Sequence, residues 1–238
     1  FKKEKMDVKI FLDGGFYNNL PVGLLARKGY RNIIAVRTHG LGRSPDIQKM
    51  DLNIVEIEPS TDLGLTLDFT PENARKNLNS GYFDTMQIFQ GLKGEEYYFD
   101  FSRNEEFYFN FFLNLAEEDI LQTARILGFE KQSPRRLLFE KILPFVADML
   151  SVDEQGDYKQ LLALILDRLA GLLEVDKYRI YNLQDIIQVL KFNYSKNEFS
   201  EDFQLPNFVL KNRVLARTVS SKIQNRLLFI LFRSQIKN

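Results

Sequence analysis

The chain of 238 residues contains no cysteine and one histidine, His39. The missing cysteines exclude disulfides and thiolate metal sites, and a single histidine excludes a histidine-rich metal site. Lysine plus arginine number 32, as do aspartate plus glutamate, so no overall charge favours nucleic acid as a partner. No apolar run is long enough to predict a transmembrane helix, and no signal peptide is visible.

The most informative stretch lies between a strand-like run and a helix-like run. It reads Leu12-Asp13-Gly14-Gly15-Phe16-Tyr17-Asn18-Asn19-Leu20-Pro21. Residues 8–12 favour a strand, and Pro21 suits the start of a helix that continues to residue 28. Open α/β sheets place functional groups at the carboxyl ends of strands, and glycines beside such a group permit close backbone approach. The pattern therefore predicts a site at Asp13.

The residues after this turn continue the α/β pattern. A strand at 8–12, a helix at 21–28 and an apolar strand at 32–37 predict a right-handed βαβ unit with parallel pairing. A further strand is predicted at 53–57. Thr70 and Pro71 predict the start of a long helix that ends at Gly91. The apolar positions that recur along this helix are Leu78, Tyr82, Met86 and Phe89.

The turn at Asp13-Gly14-Gly15, with Asn19 and Pro21 after it, resembles the second motif of patatin-like phospholipases. Residues 59–64 (Pro-Ser-Thr-Asp-Leu-Gly) and 81–85 (Gly-Tyr-Phe-Asp-Thr) resemble the tail of bacterial patatin-like domains more weakly. The resemblance covers roughly residues 1–91. It implies an α/β fold with a partial parallel sheet and flanking helices.

The resemblance also implies an activity, the hydrolysis of carboxylic esters in a lipid or phospholipid through a Ser-Asp dyad. Asp13 would be the general base, supported by Gly14 and Gly15, while Asn19 would cap the helix and fix the loop. This chemistry requires no metal and no organic cofactor. Because the dyad uses no histidine, we expect His39 to be an ordinary loop residue.

No serine of the chain lies in a Gly-x-Ser-x-Gly motif, so the nucleophile is missing. The glycine-rich oxyanion loop of the family is missing as well. We therefore expect this chain alone not to hydrolyse esters. The chain begins at Phe1 without an initiator methionine, and three parallel strands cannot cover both faces and edges of a sheet. We expect an N-terminal segment or a second copy of the chain to supply the rest.

The second half of the chain has helical periodicity throughout. The predicted helices span 104–115, 117–128, 134–150, 155–174, 182–193 and 212–235. We divide the chain into the C-terminal part of a patatin-like domain, 1–100, and an all-α helical domain, 101–238, which we expect to form a bundle. A group of aromatic residues between 97 and 112 is expected to form core between the two parts; the alternative is the lining of an acyl pocket.

The last predicted helix is basic and amphipathic. From Lys211 to the end the chain carries seven basic residues and no acid. Such a helix can lie on an anionic membrane, although the apolar run at 227–232 favours burial in the bundle. A cytoplasmic or membrane-peripheral location is favoured. The alternative function is a non-catalytic module in which the helical half docks on a protein partner or a membrane.

Overall fold

The computed structural model describes residues 4–6, 9–11, 18–39, 51–65, 70–129, 132–152, 156–195 and 220–237. The protein is mixed α/β and mostly helical, with small sheets. It divides into two compact units, residues 1–90 and 91–238. Residues 91–100, which the sequence grouped with the first part, thus belong to the second unit. The assignment of the first part to a patatin-like domain stays a prediction.

The described residues of the first unit form four short strands and two helices. These elements are β1 (Glu4–Met6), β2 (Lys9–Phe11), α1 (Val22–Arg27), β3 (Asn32–Val36), β4 (Asn53–Ile57) and α2 (Pro71–Gln90). β3 and β4 pair in parallel, with Asn32 opposite Asn53 and Val36 opposite Ile57. This pair is the parallel sheet of the unit as far as the structure describes it.

The predicted parallel pairing of the strand at 8–12 with the strand at 32–37 is wrong. β2 pairs instead with β1 in antiparallel fashion, with Glu4 opposite Phe11, and within the described residues it forms no ladder with β3. Two residues separate β1 from β2, so closing a hairpin costs little chain entropy, whereas parallel pairing needs a long crossover. The prediction missed β1 and therefore assigned β2 to the wrong partner.

The side chains of β3 alternate between a buried and an exposed face. Ile33 and Ala35 pack with Val22 of α1 in a small core. Ile34 and Val36, on the other face, are 60% and 58% exposed. Parallel sheets are usually covered on both faces. That a further segment or a second copy covers this face stays a prediction.

The predicted bounds of α2 are confirmed, but its orientation is unexpected. The Oγ1 atom of Thr70 accepts a hydrogen bond from the Asn73 N–H at 3.4 Å, and Gly91 has a positive φ of 66° after the last turn, as helix ends often require. Three of the four apolar residues that predicted the helix are exposed, Leu78 by 74%, and the fourth, Met86, is half-buried. The polar residues Ser80 and Asp84 are buried instead.

The second unit, in its described residues, is a helical bundle that includes a very short parallel ladder. Its helices are α3 (Glu105–Leu113), α4 (Glu117–Ile126), α5 (Pro134–Leu137), α6 (Leu143–Met149), α7 (Tyr158–Leu172), α8 (Leu183–Tyr194), α9 (Ser221–Leu231) and α10 (Arg233–Lys237). The predicted helices are confirmed within a few residues, with two exceptions. Residues 155 and 212–219 lie outside the described residues, and the remainder of the last predicted helix is divided at Phe232 into α9 and α10. The all-α prediction needs correction, because β5 (Tyr98–Phe99) pairs in parallel with β6 (Ile180–Tyr181).

A π-helical turn, Leu138–Ile142, joins α5 to α6. Pro144 follows two residues later and has no backbone N–H, so the carbonyl of Glu140 cannot receive its usual helical hydrogen bond. A wider turn accommodates such a defect without ending the helix. The single predicted helix at 134–150 is therefore interrupted by this turn rather than regular.

The aromatic group at 97–112 contributes to the core of the second unit. Phe99 and Phe112 are completely buried, and the rings of Phe99 and Phe101 stack with their centroids 5.3 Å apart. Phe107 is the exception, with 41% of its surface exposed. The predicted core role is confirmed, whereas the predicted location between the parts is not.

The apolar face of the last helices is buried in the same core. All residues from Leu227 to Phe232 are buried, and Ile223 packs partly against them. The bundle interpretation of this segment is confirmed for residues 220–237. Membrane contact through it stays a prediction. None of the helices in the described ranges has the length and apolarity needed to cross a membrane.

Candidate functional site

The predicted base lies between two elements that the structure describes. Asp13, Gly14 and Gly15 themselves lie outside the described residues. β2 ends at Phe11, and α1 begins at Val22. A strand before Asp13 and a helix after it are thus in the order that the sequence predicted.

The residues before α1 form a turn. The N-cap position is Pro21, which makes no side-chain cap bond, and the role of Asn19 in capping the helix and fixing the loop stays a prediction. The Oδ1 atom of Asn18 accepts a hydrogen bond from the Leu20 N–H at 2.9 Å. This local bond is typical of asparagine in turns and shapes the chain that follows the glycines. Asn19 is exposed.

The carboxyl end of β3 carries the candidate histidine. His39 is exposed and has a left-handed backbone, with φ at 50°. Two residues earlier, the Arg37 side chain forms ion pairs with Glu56 and Glu58 of the neighbouring strand and its extension. The structure places His39 in the loop that follows β3. Its position in a loop agrees with the expectation of an ordinary loop residue.

The loop after β4 is held by the polar face of α2. The Ser60 N–H donates to Oδ2 of Asp84 at 3.0 Å, and the hydroxyls of Thr61 and Ser80 lie 3.1 Å apart. Asp84 is 2% exposed and Ser80 is fully buried. The two segments that carried the weaker part of the resemblance, 59–64 and 81–85, are therefore in direct contact.

A second group of bonds fixes the end of this loop. The side-chain amides of Asn73 and Asn77 both donate to the Leu63 carbonyl, at 3.1 and 2.9 Å. The Gly64 N–H donates to Oδ1 of Asp62 at 2.9 Å, and Gly64 has a positive φ of 82°. The Oδ1 atom of Asn77 is buried without a hydrogen-bond partner. The loop is thus bound to α2 along most of its length.

The polar stripe of α2 was missed in the sequence, although a signal for it exists. Asn73, Asn77, Ser80 and Asp84 recur at i, i+4, i+7 and i+11, which places them on one helix face. The apolar residues Leu78, Tyr82 and Phe89 drew attention because apolar stripes usually mark the buried face. The presence of both a polar and an apolar stripe on this helix was the signal that either face could be the buried one.

The second unit contains a buried carboxylate in a backbone cradle. Oδ2 of Asp167 accepts hydrogen bonds from three consecutive N–H groups, those of Glu95, Glu96 and Tyr97, at 2.7, 2.9 and 3.0 Å. Burial raises the pKa of Asp167 above its usual range, although these three donors oppose the shift. Gly94 makes the cradle possible, because its φ is 106° and a Cβ there would lie 2.2 Å from the Tyr97 carbonyl oxygen.

Tyr97 is tied to the same cradle. Its hydroxyl donates to the Val175 carbonyl at 3.3 Å. Burial, followed by the nearby charge of Asp167, raises the pKa of Tyr97 to about 12. Both groups are internal, so this cluster stabilises the packing of residues 94–97 on α7 and offers no open position for a substrate.

The described residues do not assemble a complete catalytic group in the first unit. The structure brings together Ser60, Thr61, Ser80 and Asp84, whereas Asp13 lies outside the residues it describes. No group of three His, Cys, Asp or Glu residues in the described ranges could hold a metal ion. No protein-family model, curated protein or solved structure matches this chain. The resemblance to patatin-like phospholipases therefore rests on the sequence motifs.

Proposed function

We propose that this chain is the part of a patatin-like lipid acyl hydrolase that carries the general base. The observation on which the proposal depends is the Asp13-Gly14-Gly15 sequence motif, which lies between β2 and α1 in the chain. The contact between residues 59–64 and 81–85 gives further support, because it joins the two other segments of the resemblance. The substrate would be a lipid or phospholipid ester.

The proposed chemistry is acyl transfer through a serine that this chain does not hold in a recognisable motif. The serine hydroxyl would attack the ester carbonyl while the Asp13 carboxylate accepts its proton. The alcohol leaves, and water then hydrolyses the acyl-enzyme. No step requires a metal or an organic cofactor. The helical unit would serve in substrate recognition, membrane docking or assembly.

The test compares Asp13→Asn with Asp62→Asn in a protein that joins this chain to a Gly-x-Ser-x-Gly segment. A general base contributes about 10²–10⁴-fold to rate, so Asp13→Asn should reduce ester hydrolysis by about that factor. Asp62→Asn changes an exposed acid on the loop after β4 and should leave the rate nearly unchanged. Undiminished hydrolysis in Asp13→Asn would remove Asp13 from the mechanism.

A second experiment uses the chain by itself. Without the nucleophile and the oxyanion loop, the pure chain should not react with a fluorophosphonate probe, because these two parts supply most of the rate enhancement. Covalent labelling of any of its serines, detected by intact mass, would contradict the proposal that the nucleophile is supplied from elsewhere.

One observation favours the alternative of a non-catalytic module. The polar groups that the structure brings together in the first unit bond to one another and to backbone, and these bonds hold a loop. On this alternative the α/β unit is scaffold and the helical unit contacts a partner. Absence of hydrolysis in a well-folded protein that contains the Gly-x-Ser-x-Gly segment would support the module over the enzyme.

A further inference from the structure

The exposed apolar side chains of the described residues are concentrated in the first unit. Ten of the thirteen large apolar side chains that are exposed belong to it, although it is the smaller of the two units. Single exposed apolar residues are normal on a protein surface, whereas groups of them commonly mark an interaction site. An interaction surface is therefore expected on the first unit.

The clearest group of this kind lies along α2. Leu78, Tyr82 and Phe89 are 74%, 58% and 57% exposed, and Met86 between them is half-buried. We call these four residues the apolar stripe of α2. At 3.6 residues per turn, all four point within about 40° of the direction of Tyr82. Asp84 points the opposite way and holds the loop after β4, so the contacts within the unit leave the apolar stripe exposed.

The central residue of the apolar stripe is held in place by its neighbour. The rings of Tyr82 and Phe83 meet edge to face, with centroids 5.2 Å apart and an interplanar angle of 86°. A ring that is restrained before docking loses less conformational entropy when it is covered. Tyrosine, phenylalanine and methionine are also the apolar residue types that are enriched at protein interfaces. The apolar stripe thus has the composition of an interface and a restrained residue at its centre.

The spacing along α2 is symmetric about Tyr82. Leu78 and Met86 lie four residues before and after it, and Arg75 and Phe89 lie seven residues before and after it. An antiparallel pair of α2 helices with its two-fold axis at Tyr82 would place Leu78 beside the partner's Met86 and Arg75 beside the partner's Phe89. Two-fold interfaces are self-complementary in this way. The apolar stripe therefore matches a second copy of itself.

The charges of α2 favour the antiparallel arrangement. The last turn of the helix contains no basic residue, although the carboxyl end of a helix attracts cations. Arg75 is exposed near the other end. In an antiparallel pair, the partner's Arg75 would lie beside Phe89 in that last turn, where its guanidinium is attracted by both the helix end and the ring. A parallel pair would instead bring the two copies of Arg75 together.

The area of the apolar stripe sets the strength of the pair. A whole aromatic side chain buries about 150–250 Å², so the exposed parts of Tyr82 and Phe89 offer roughly 170–290 Å² together. With Leu78, Met86 and the stem of Arg75, two copies would bury on the order of 800–1,000 Å² in total. Stable interfaces bury about 1,200–2,000 Å². The area thus fits a weak, reversible dimer and not a permanent one.

We propose that α2 docks on α2 of a second copy of this chain, in antiparallel orientation, with the two-fold axis at Tyr82. The dimer would be held by the apolar stripe and by the contact of Arg75 with the partner's Phe89. The proposal does not involve Asp13, so the failure of one leaves the other intact.

The experiment measures sedimentation equilibrium of the full chain at loading concentrations from about 1 to 300 µM. We expect a reversible monomer–dimer equilibrium with a dissociation constant on the order of 10–100 µM. Leu78→Lys would place an ammonium group in the interface and should weaken the dimer at least about tenfold. The matched control is Leu65→Lys, the same change at a leucine that is 83% exposed in the loop after β4, and it should leave the equilibrium unchanged.

Both leucines are exposed, so neither substitution should alter the fold by circular dichroism. If Leu78→Lys nevertheless unfolds, Tyr82→Lys takes its place, because Tyr82 is exposed as well and lies at the proposed axis. Tyr82→Lys should weaken the dimer more than tenfold, since it brings two like charges together at the axis.

Crosslinking tests the orientation, and the natural chain contributes no cysteine to confuse it. In the proposed dimer, Tyr82→Cys should crosslink to itself with bismaleimidoethane. Phe89→Cys should not, because its two copies would lie fourteen residues apart along the helices, or about 21 Å. A mixture of Arg75→Cys and Phe89→Cys should form the mixed product. All samples are crosslinked above the dissociation constant.

Four results would overturn the proposal. The first is a chain that stays monomeric over the whole concentration range. The second is equal weakening by Leu78→Lys and Leu65→Lys, which would place the contact elsewhere. The third is efficient crosslinking of Phe89→Cys to itself, which would indicate a parallel pair. The fourth is a monomer that floats with phosphatidylglycerol vesicles unless it carries Leu78→Lys, which would assign the apolar stripe to a membrane surface.

Discussion

Oδ2 of Asp84 accepts a hydrogen bond from the Ser60 N–H at 3.0 Å, so a residue in α2 holds the chain that leaves β4. Asp84 is 2% exposed. We expect Asp84→Ala to leave the Ser60 N–H without its partner and to lower the stability of this loop by about 1–3 kcal/mol. Hydrogen exchange over residues 59–64 measures the change directly. Asp84→Asn retains an acceptor oxygen and should protect these amides better than alanine does.

Two hydrogen-exchange results would contradict the role of Asp84 in holding this loop. If exchange over residues 59–64 is the same in Asp84→Ala as in the unmodified chain, another group holds the loop. If exchange rises equally across the whole first unit, Asp84 supports the fold of the unit and not this loop in particular.

The same contact shows how far the sequence determined this part of the fold. The bounds of α2 followed from Thr70, Pro71 and Gly91, because helix ends depend on local chemistry that a short stretch contains. The buried face did not follow, because burial depends on what packs against the helix. Here the polar stripe is buried rather than the apolar one, because its side chains form the hydrogen bonds that the backbone of the packed loop requires.

The pairing of β2 illustrates the same limit. A strand was predictable at 8–12 from its residue types, but the partner of a strand is set by other parts of the chain. The sequence analysis does not predict the short β1, so the βαβ unit that it predicts lacks the strand with which β2 pairs. For the candidate site, the sequence identified Asp13 by motif, whereas the contacts of Asp84 depend on three-dimensional packing that no local pattern specifies.

Gly94 should tolerate no side chain. Its φ of 106° is unfavourable for other residues, and a Cβ would lie 2.2 Å from the Tyr97 carbonyl oxygen and 3.0 Å from Oδ2 of Asp167. We expect Gly94→Ala to lower the free energy of unfolding of the second unit by several kcal/mol, on the order of 3 or more. Chemical denaturation monitored by tyrosine fluorescence gives the measurement.

Gly91→Ala is the matched control for this substitution. Gly91 also has a positive φ, 66°, but a Cβ there would meet nothing within 4 Å. Backbone strain without a clash should cost about 1 kcal/mol. Equal destabilisation by the two variants would show that strain alone matters and that residues 94–97 can move away from Asp167.

Asp119 and Glu118 offer a comparison between a buried and an exposed partner of one arginine. Arg233 lies 3.1 Å from Oδ1 of Asp119 and 3.3 Å from Oε1 of Glu118. The Asp119 side chain is 1% exposed and that of Glu118 is 84% exposed. Oδ2 of Asp119 also accepts the Ser234 N–H at 2.7 Å, which anchors the start of α10.

We expect Asp119→Ala to destabilise the second unit by about 3–5 kcal/mol, because it removes the buried partner of a mostly buried guanidinium and the acceptor of the Ser234 N–H. Glu118→Ala should cost no more than about 1 kcal/mol, since its pair is screened by solvent. Thermal unfolding of both variants at the same pH and salt tests the contrast. Similar losses in the two variants would mean that the arginine is not held mainly by Asp119.

Asp167 should make the stability of the second unit depend on pH. Because burial raises its pKa in the folded state, the folded chain binds more protons than the unfolded chain between the ordinary pKa of aspartate and the raised value. Stability from this group is therefore greatest at low pH and falls as the pH rises through that window.

Asp167→Asn keeps an acceptor oxygen for the cradle and removes the titration. The free energy of unfolding of Asp167→Asn minus that of the unmodified chain should thus increase from about pH 4 upward and then become constant. Urea unfolding at a series of pH values measures this difference. A difference that instead decreases with rising pH would show that the three N–H donors outweigh burial, and that the charged carboxylate is the form the cradle prefers.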